Sequence, residues 1–333
     1  MNIQTPTALI VFKRLAPVQE VFKTLRLVRP AKLYIIADGW RNEEEEKKCR
    51  GVREYLESAV DWPCEVYKNY SDTNLGCRAR VVSGLNWVFE HEERAIILED
   101  DCVPEQTFFQ FCEELLERYK DAPHVMQISG LNTQYKNPTY TTNGASYYFS
   151  RFGEIWGWAT WRRAWKLYDE KLDAWPRAKN ENLLSKTLED PEVVDYWEHM
   201  FDQVHAAQGD RKKFDAWAAQ WVFTQLLHDG LSAVPKTNLI TNLGDDIEAT
   251  RFREGDRTDE FRRPITSLSF PLIHPTSITI NANADTFTLR HGFKIKATLR
   301  EKILFFLKQH MPRTHKTLKQ LFKRQQKIIT TAQ

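Results

Sequence analysis

Three features of the sequence predict an α/β fold with a mostly parallel central sheet flanked by helices. Short apolar runs rich in β-branched residues alternate with amphipathic stretches through the first 130 residues. That rhythm is the one strands and crossover helices produce in a parallel sheet. Several of the apolar runs end on charged residues, and in such sheets ligands bind beyond the carboxyl ends of the strands.

Each element follows from its own pattern. Ala8–Phe12 reads as a first strand, and Val18, Val21, Phe22 and Leu25 mark a helix over 18–28. Leu33–Ala37 is a second strand, closed by Asp38-Gly39. A charged surface helix covers 43–59 and a third strand 64–67. Val81, Leu85, Val88 and Phe89 give helical spacing over 78–92. Arg94–Leu98 is a fourth strand, followed at once by Glu99-Asp100-Asp101. A helix over 107–119 and a strand over 125–129 complete this half. After Ser129 the texture changes: 132–145 is turn-rich, 147–165 is dense in aromatics and glycine, 183–227 is largely helical, and 231–242 reads as a strand and its exit. Residues 245–264 are charged without apolar periodicity. The expected organisation is a catalytic domain over 1–285, with halves 1–130 and 131–285, and a basic extension over 286–333.

The chain has 333 residues, 42% hydrophobic and 28% charged, enough for a sizeable core. Its net charge of +2 gives no global field for nucleic acid. Residues 290–333 nevertheless carry twelve Lys/Arg against one acid, Glu301, so the rest is net negative. The five cysteines have neither zinc-type nor redox-type spacing and read as reduced thiols of a cytoplasmic protein. No apolar run reaches the ~20 residues of a membrane span.

The acidic triplet is the most informative stretch. Three adjacent carboxylates at a strand end need a cation, donors or solvent. Two readings fit: a site for a hard divalent cation such as Mg2+ or Mn2+, or a solvated acidic turn before a helix. Ile97-Leu98-Glu99-Asp100-Asp101-Cys102-Val103-Pro104 with Phe108-Phe109 resembles the Glu-Asp-Asp motif of N-acetylglucosaminyltransferase I and of related bacterial family 2-like sugar transferases. The resemblance spans roughly residues 8–255 and is densest at the triplet. It implies an A-type glycosyltransferase fold and Mn2+ or Mg2+ held by Asp101, with Glu99 and Asp100 along a nucleotide-sugar donor. It also implies donor contacts from Arg14 after the first strand, Asp38 after the second, and Arg80 in the helix before the triplet. Read by itself, Asp38-Gly39 is simply a turn.

Phe152-Gly153-Glu154-Ile155-Trp156-Gly157-Trp158 fits either a packed aromatic core or a platform for sugar rings. The resemblance favours the platform, with Gly157 and Trp158 shaping the donor site and Glu154 touching the acceptor. Asp215, in Lys213-Phe214-Asp215-Ala216-Trp217, reads locally as a helix N-cap. The resemblance makes it the catalytic base, with Asp210 as the weaker alternative, although this chain lacks the adjacent acids of the eukaryotic enzyme. The implied activity is an inverting transfer, from a donor that is expected to be a UDP-sugar, to a glycan or lipid-linked oligosaccharide. A lid is expected over 245–253. Leu299, Ile303, Phe306 and Leu307 share a face in the basic tail, which fits equally an anionic membrane surface or docking on the domain. Two other functions share the acidic cluster: a sugar nucleotidyltransferase, whose usual glycine-rich loop is missing from 8–17, and a non-catalytic carbohydrate- or membrane-binding protein.

Overall fold

The computed structural model describes residues 2–188, 190–244, 263–293 and 295. The expected lid over 245–253 and the tail face over 299–327 lie outside the described residues.

Eight strands form one sheet, in the order β3-β2-β1-β4-β8-β6-β9-β7. The strands are β1 (Thr7–Val11), β2 (Lys32–Ala37), β3 (Glu65–Tyr70), β4 (Arg94–Glu99), β6 (Val125–Ser129), β7 (Tyr147–Ser150), β8 (Trp158–Trp161) and β9 (Leu231–Pro235). β1 pairs in parallel with β2 and β4, β2 with β3, and β6 with β9. β8 runs antiparallel between β4 and β6, and β7 antiparallel at the edge beside β9. A separate antiparallel ribbon joins β5 (Cys102–Pro104) to β10 (Ile240–Asn242). Between the acidic triplet and the helix expected over 107–119 the chain spends three residues pairing with β10, because Cys102 to Pro104 find partners 138 residues or so downstream that no local pattern signals.

The strands are apolar on both faces because both faces are covered. Leu9, Val11, Leu33, Ile35, Ile96 and Leu98 point to α1 (Leu15–Val28), α2 (Glu43–Ala59) and α4 (Gln106–Arg118). Ala8, Ile10, Tyr34, Ile36, Ala95 and Ile97 point the other way, to α3 (Cys77–His91), α5 (Arg162–Trp165) and α9 (Ala218–Leu227). The period-2 split of neighbouring residues between two cores is the pleat read out in burial. A third core lies among α6 (Trp175–Asn180), α7 (Leu183–Thr187), α8 (Pro191–Ala207) and α9. Leu289, in a π-helical turn over Thr288–Gly292 that continues α10 (Ala282–Phe287), packs into it. The boundary placed at 285/286 therefore falls within one helical stretch.

All of β1, β2 and β4 end on the same edge of the sheet. Neighbouring strands are ~4.8 Å apart, so the tips of β2 and β4, on either side of β1, lie roughly 10 Å apart. Lys13, at the exit of β1, donates to Glu45 at 2.9 Å in the first turn of α2. Glu45 also accepts from the Arg41 backbone and side chain. Hydrogen bonds from the Arg41 side chain, and then Lys13, pull the Glu45 carboxyl down to about 2. A depressed folded value means the stabilisation is present above the ordinary carboxylate range and is lost as pH falls toward 2. Glu45→Gln should cost about 1 kcal/mol at pH 7 after screening at the exposed Arg41. Urea unfolding at several pH values checks this: the gap to wild type should close between pH 4.5 and 2, and a gap independent of pH would contradict it.

Candidate site at the carboxyl edge of the sheet

The tip of β4 carries the acidic triplet. Asp100 is buried at 8% exposure, and Glu99 and Asp101 are half-buried. Arg14, the residue immediately before α1, reaches across the strand ends. Its Nη2 donates to Asp100 Oδ1 at 2.6 Å and to Asp101 Oδ2 at 2.7 Å. Burial, then the neighbouring Asp101 charge, push the Asp100 carboxyl up; Arg14 pulls it back. Burial works against the Arg14 charge, and Asp100 and Asp101 more than offset it, so Arg14 stays firmly protonated.

The β5–β10 ribbon closes over Asp101. Leu243 N–H donates to the Asp101 carbonyl at 2.8 Å, and Gly244 N–H donates to Asn242 Oδ1 at 2.6 Å. A Cβ on Gly244 would sit 2.6 Å from Asp101 Oδ2, so a larger residue there would push against that carboxylate. Asp101 Oδ1 faces the Cys102 thiol at 3.4 Å.

A second cluster surrounds the start of α3. Asp38, at the tip of β2, accepts from Gly39 N–H and Leu75 N–H on Oδ1, both at 2.9 Å, and from Asn74 Nδ2 at 3.0 Å and Gly76 N–H at 3.2 Å on Oδ2. Four donors fill the four acceptor sites of a carboxylate. These bonds give Asp38 a structural role: the carboxylate clamps loop 73–76 to the tip of β2. Burial pushes this carboxyl up, while the amides of Leu75, Gly39 and Gly76 oppose it.

Asp215 stands on the far side of the same loop. Its oxygens accept from Cys77 N–H at 3.1 Å and Arg78 N–H at 2.9 Å, the first amides of α3. It is thus a cap, as its local sequence suggests, but of a helix 138 residues earlier rather than of the one that follows it. The N-terminal dipole of α3 favours the negative charge there. Arg80, one turn into α3, is buried and donates to Asn69 Oδ1 at 2.8 Å; burial lowers it from its ordinary range. Through Asn69 it braces β3.

The aromatic segment resolves toward its core alternative. Trp158 is fully buried. Its ring lies 5.6 Å from those of Trp217 and Trp221, and 6.3 Å from that of Trp165. A ring enclosed on both faces offers no platform to a sugar, so the role expected of Trp158 is corrected to packing. Gly157 takes a left-handed φ of +60, and its carbonyl accepts from Gly130 N–H at 2.7 Å. A Cβ there would run into Ile240 of the ribbon and come within 3.6 Å of Leu98 on β4. Gly157 therefore lets the β7–β8 loop approach the strand tip beneath the triplet. Glu154 in that loop is half-buried, and its carbonyl accepts from Gln127 Nε2 at 2.7 Å and Ser129 Oγ at 2.8 Å.

The structure thus brings together Arg14, Glu99, Asp100 and Asp101 in one group, and Asp38, Arg80 and Asp215 in another along the same edge. The sequence reading missed that Arg14 pairs with the acids, and missed Asn74 to Gly76. Gly76 was the local signal there, because glycine marks close backbone approach. The five cysteines are all free thiols. Among the described residues no group of three His, Cys, Asp or Glu could hold a metal ion by itself. Carboxylates in ones and twos do hold magnesium-type cations when substrate phosphates complete the shell. The hard oxygens of Asp101 and Asp100 fit that arrangement.

No protein-family model matches the chain, and no curated protein matches it. Among solved structures it is similar to UDP-glucose pyrophosphorylase complexed with UDP-glucose, at 7% identity and a TM-score of 0.29, over 49% of this chain and 79% of that one. It is also similar to 4-diphosphocytidyl-2C-methyl-D-erythritol synthase from Anaerococcus prevotii DSM 20548, at 7% identity and a TM-score of 0.32, over 69% of this chain and 88% of that one.

Asp38→Ala should cost about 3 kcal/mol, because it leaves three backbone amides and the Asn74 amide without their acceptor. Denaturant unfolding checks this; a loss below about 0.5 kcal/mol would show that the loop does not depend on the clamp.

Proposed function

We propose that the chain is a metal-dependent glycosyltransferase that moves a sugar from a nucleotide diphosphate donor, a UDP-sugar, to an acceptor hydroxyl with inversion. One observation carries this reading: the Asp100–Asp101 pair at the tip of β4, at the carboxyl edge of a mostly parallel sheet, with the Arg14 cation already against it.

Asp101 would hold a divalent cation, Mn2+ or Mg2+, with Glu99 and Asp100 beside it. Such a cation, when bound, offsets the charge that grows on the leaving diphosphate. Arg14 supplies a second positive charge at the same place, shaped to meet phosphate oxygens. Asp215 is half-buried at the same edge, its carboxylate oriented by the Cys77 and Arg78 amides. In this role it takes the proton from the acceptor hydroxyl as that oxygen attacks the anomeric carbon, which inverts the centre without a covalent intermediate. Loop 151–157, held by Gln127 and Ser129, would present Glu154 to the acceptor. The proposed acceptor is a surface glycan or a lipid-linked oligosaccharide, with the basic tail favouring an anionic membrane. No described helix is long and apolar enough to cross one.

A screen of UDP-sugars with and without Mn2+, read by thermal shift and by release of UDP, tests the reading. Wild type should be stabilised by one donor only with metal and should release UDP rather than pyrophosphate. Asp101→Ala should stay folded and silent; metal-dependent donor stabilisation that survives this change removes Asp101 from its role. Asp215→Asn should keep donor binding and lose turnover by about 10²–10⁴-fold. Unchanged turnover would exclude it as the base.

A further inference from the structure

Arg14 and a divalent cation compete for the same oxygens. Arg14 Nη2 is 2.7 Å from Asp101 Oδ2 and 2.6 Å from Asp100 Oδ1. The Gly244 backbone also lies close to this oxygen, since a Cβ there would stand 2.6 Å from Asp101 Oδ2. A cation held by Asp101 would therefore share a small, half-buried carboxylate with a guanidinium only a few ångströms away. Like charges this close repel strongly where water is scarce. The guanidinium has another partner to go to, since its planar fork matches phosphate oxygens as well as carboxylates. Its place between β1 and α1, at the tip of the strand next to β4, gives it reach to a diphosphate bound along that edge.

We infer that Arg14 is an exchangeable counterion: without ligand it closes the Asp100–Asp101 pair, and it moves to the donor diphosphate when a divalent cation takes Asp101. This rests on the metal–diphosphate reading proposed above. Its consequence is coupled binding. Metal alone must displace Arg14 with nothing to receive it, and diphosphate alone must draw Arg14 from two carboxylates left bare. Together each removes the other's obstacle, and the coupling is the same whichever binds first.

Calorimetric titration of the full chain with Mn2+, with UDP, and with Mn2+ in saturating UDP measures the coupling. Wild type should bind Mn2+ on the order of tenfold tighter, or more, when UDP is present. Removing Arg14 alone would leave the buried Asp100 charge without a partner and could unfold the site. The variants are therefore Asp100→Asn and the double Arg14→Ala/Asp100→Asn. Asp100→Asn should keep the UDP enhancement. The double variant should bind Mn2+ alone on the order of tenfold tighter than Asp100→Asn does, and its UDP enhancement should be smaller by a similar factor, the remainder coming from diphosphate oxygens that complete the cation's shell. Equal Mn2+ affinity in the two variants, or an enhancement in the double variant as large as in Asp100→Asn, would overturn the exchange while leaving the metal site standing. Wild type that binds neither Mn2+ nor UDP would defeat the metal–diphosphate reading itself, and the exchange with it.

Discussion

The pairing of Arg14 with Asp100 and Asp101 is the constraint on which the functional edge depends. Two adjacent carboxylates at the end of a buried strand are costly without a cation, and the structure supplies one from the neighbouring strand. That requirement fixes the chain leaving β1, because Arg14 must turn back across the strand tips. Lys13, one residue earlier, is drawn to Glu45 on α2 and anchors the same turn from outside. The chain leaving the β5–β10 ribbon then holds the Asp101 backbone through Leu243 N–H.

The second cluster shows how an α/β fold rigidifies the rest of such an edge. Asp38 and Asp215 both spend their oxygens on the loop and first turn of α3. One carboxylate comes from β2 and the other from the chain before α9, so the start of α3 is held from both halves of the molecule. Backbone amides at a helix start suit this purpose, since they lack partners within the helix. Two acids that look like ligand contacts in the sequence are, in the folded chain, first of all helix-start acceptors. Asp215 keeps part of its surface in the open, which Asp38 does not.

Much of the fold was legible because its signals are local. Apolar runs such as Leu33–Ala37 and spacings such as Val81, Leu85, Val88 gave strands and helices close to their true bounds. The carboxyl-edge position of Arg14, Asp38 and Asp100–Asp101 followed from the order of those elements. What stayed hidden depends on long-range pairing. Cys102–Pro104 is a strand only because Ile240–Asn242 arrives beside it. Trp158 looks like a sugar platform until Trp217 and Trp221, some sixty residues on, are stacked against it. Asp38 looks free until loop 73–76 folds over it. In each case the residue type was right for two environments, and the partner that decides between them is distant in sequence.

The central claim is that the tip of β4 is where a cation and a diphosphate meet. Anomalous diffraction from crystals grown with Mn2+ and UDP examines it directly. The account predicts a manganese peak within bonding distance of the Asp101 carboxylate and of the diphosphate, with Arg14 turned onto a phosphate oxygen. Manganese or UDP bound elsewhere, with the Arg14–Asp101 pair intact, would contradict it.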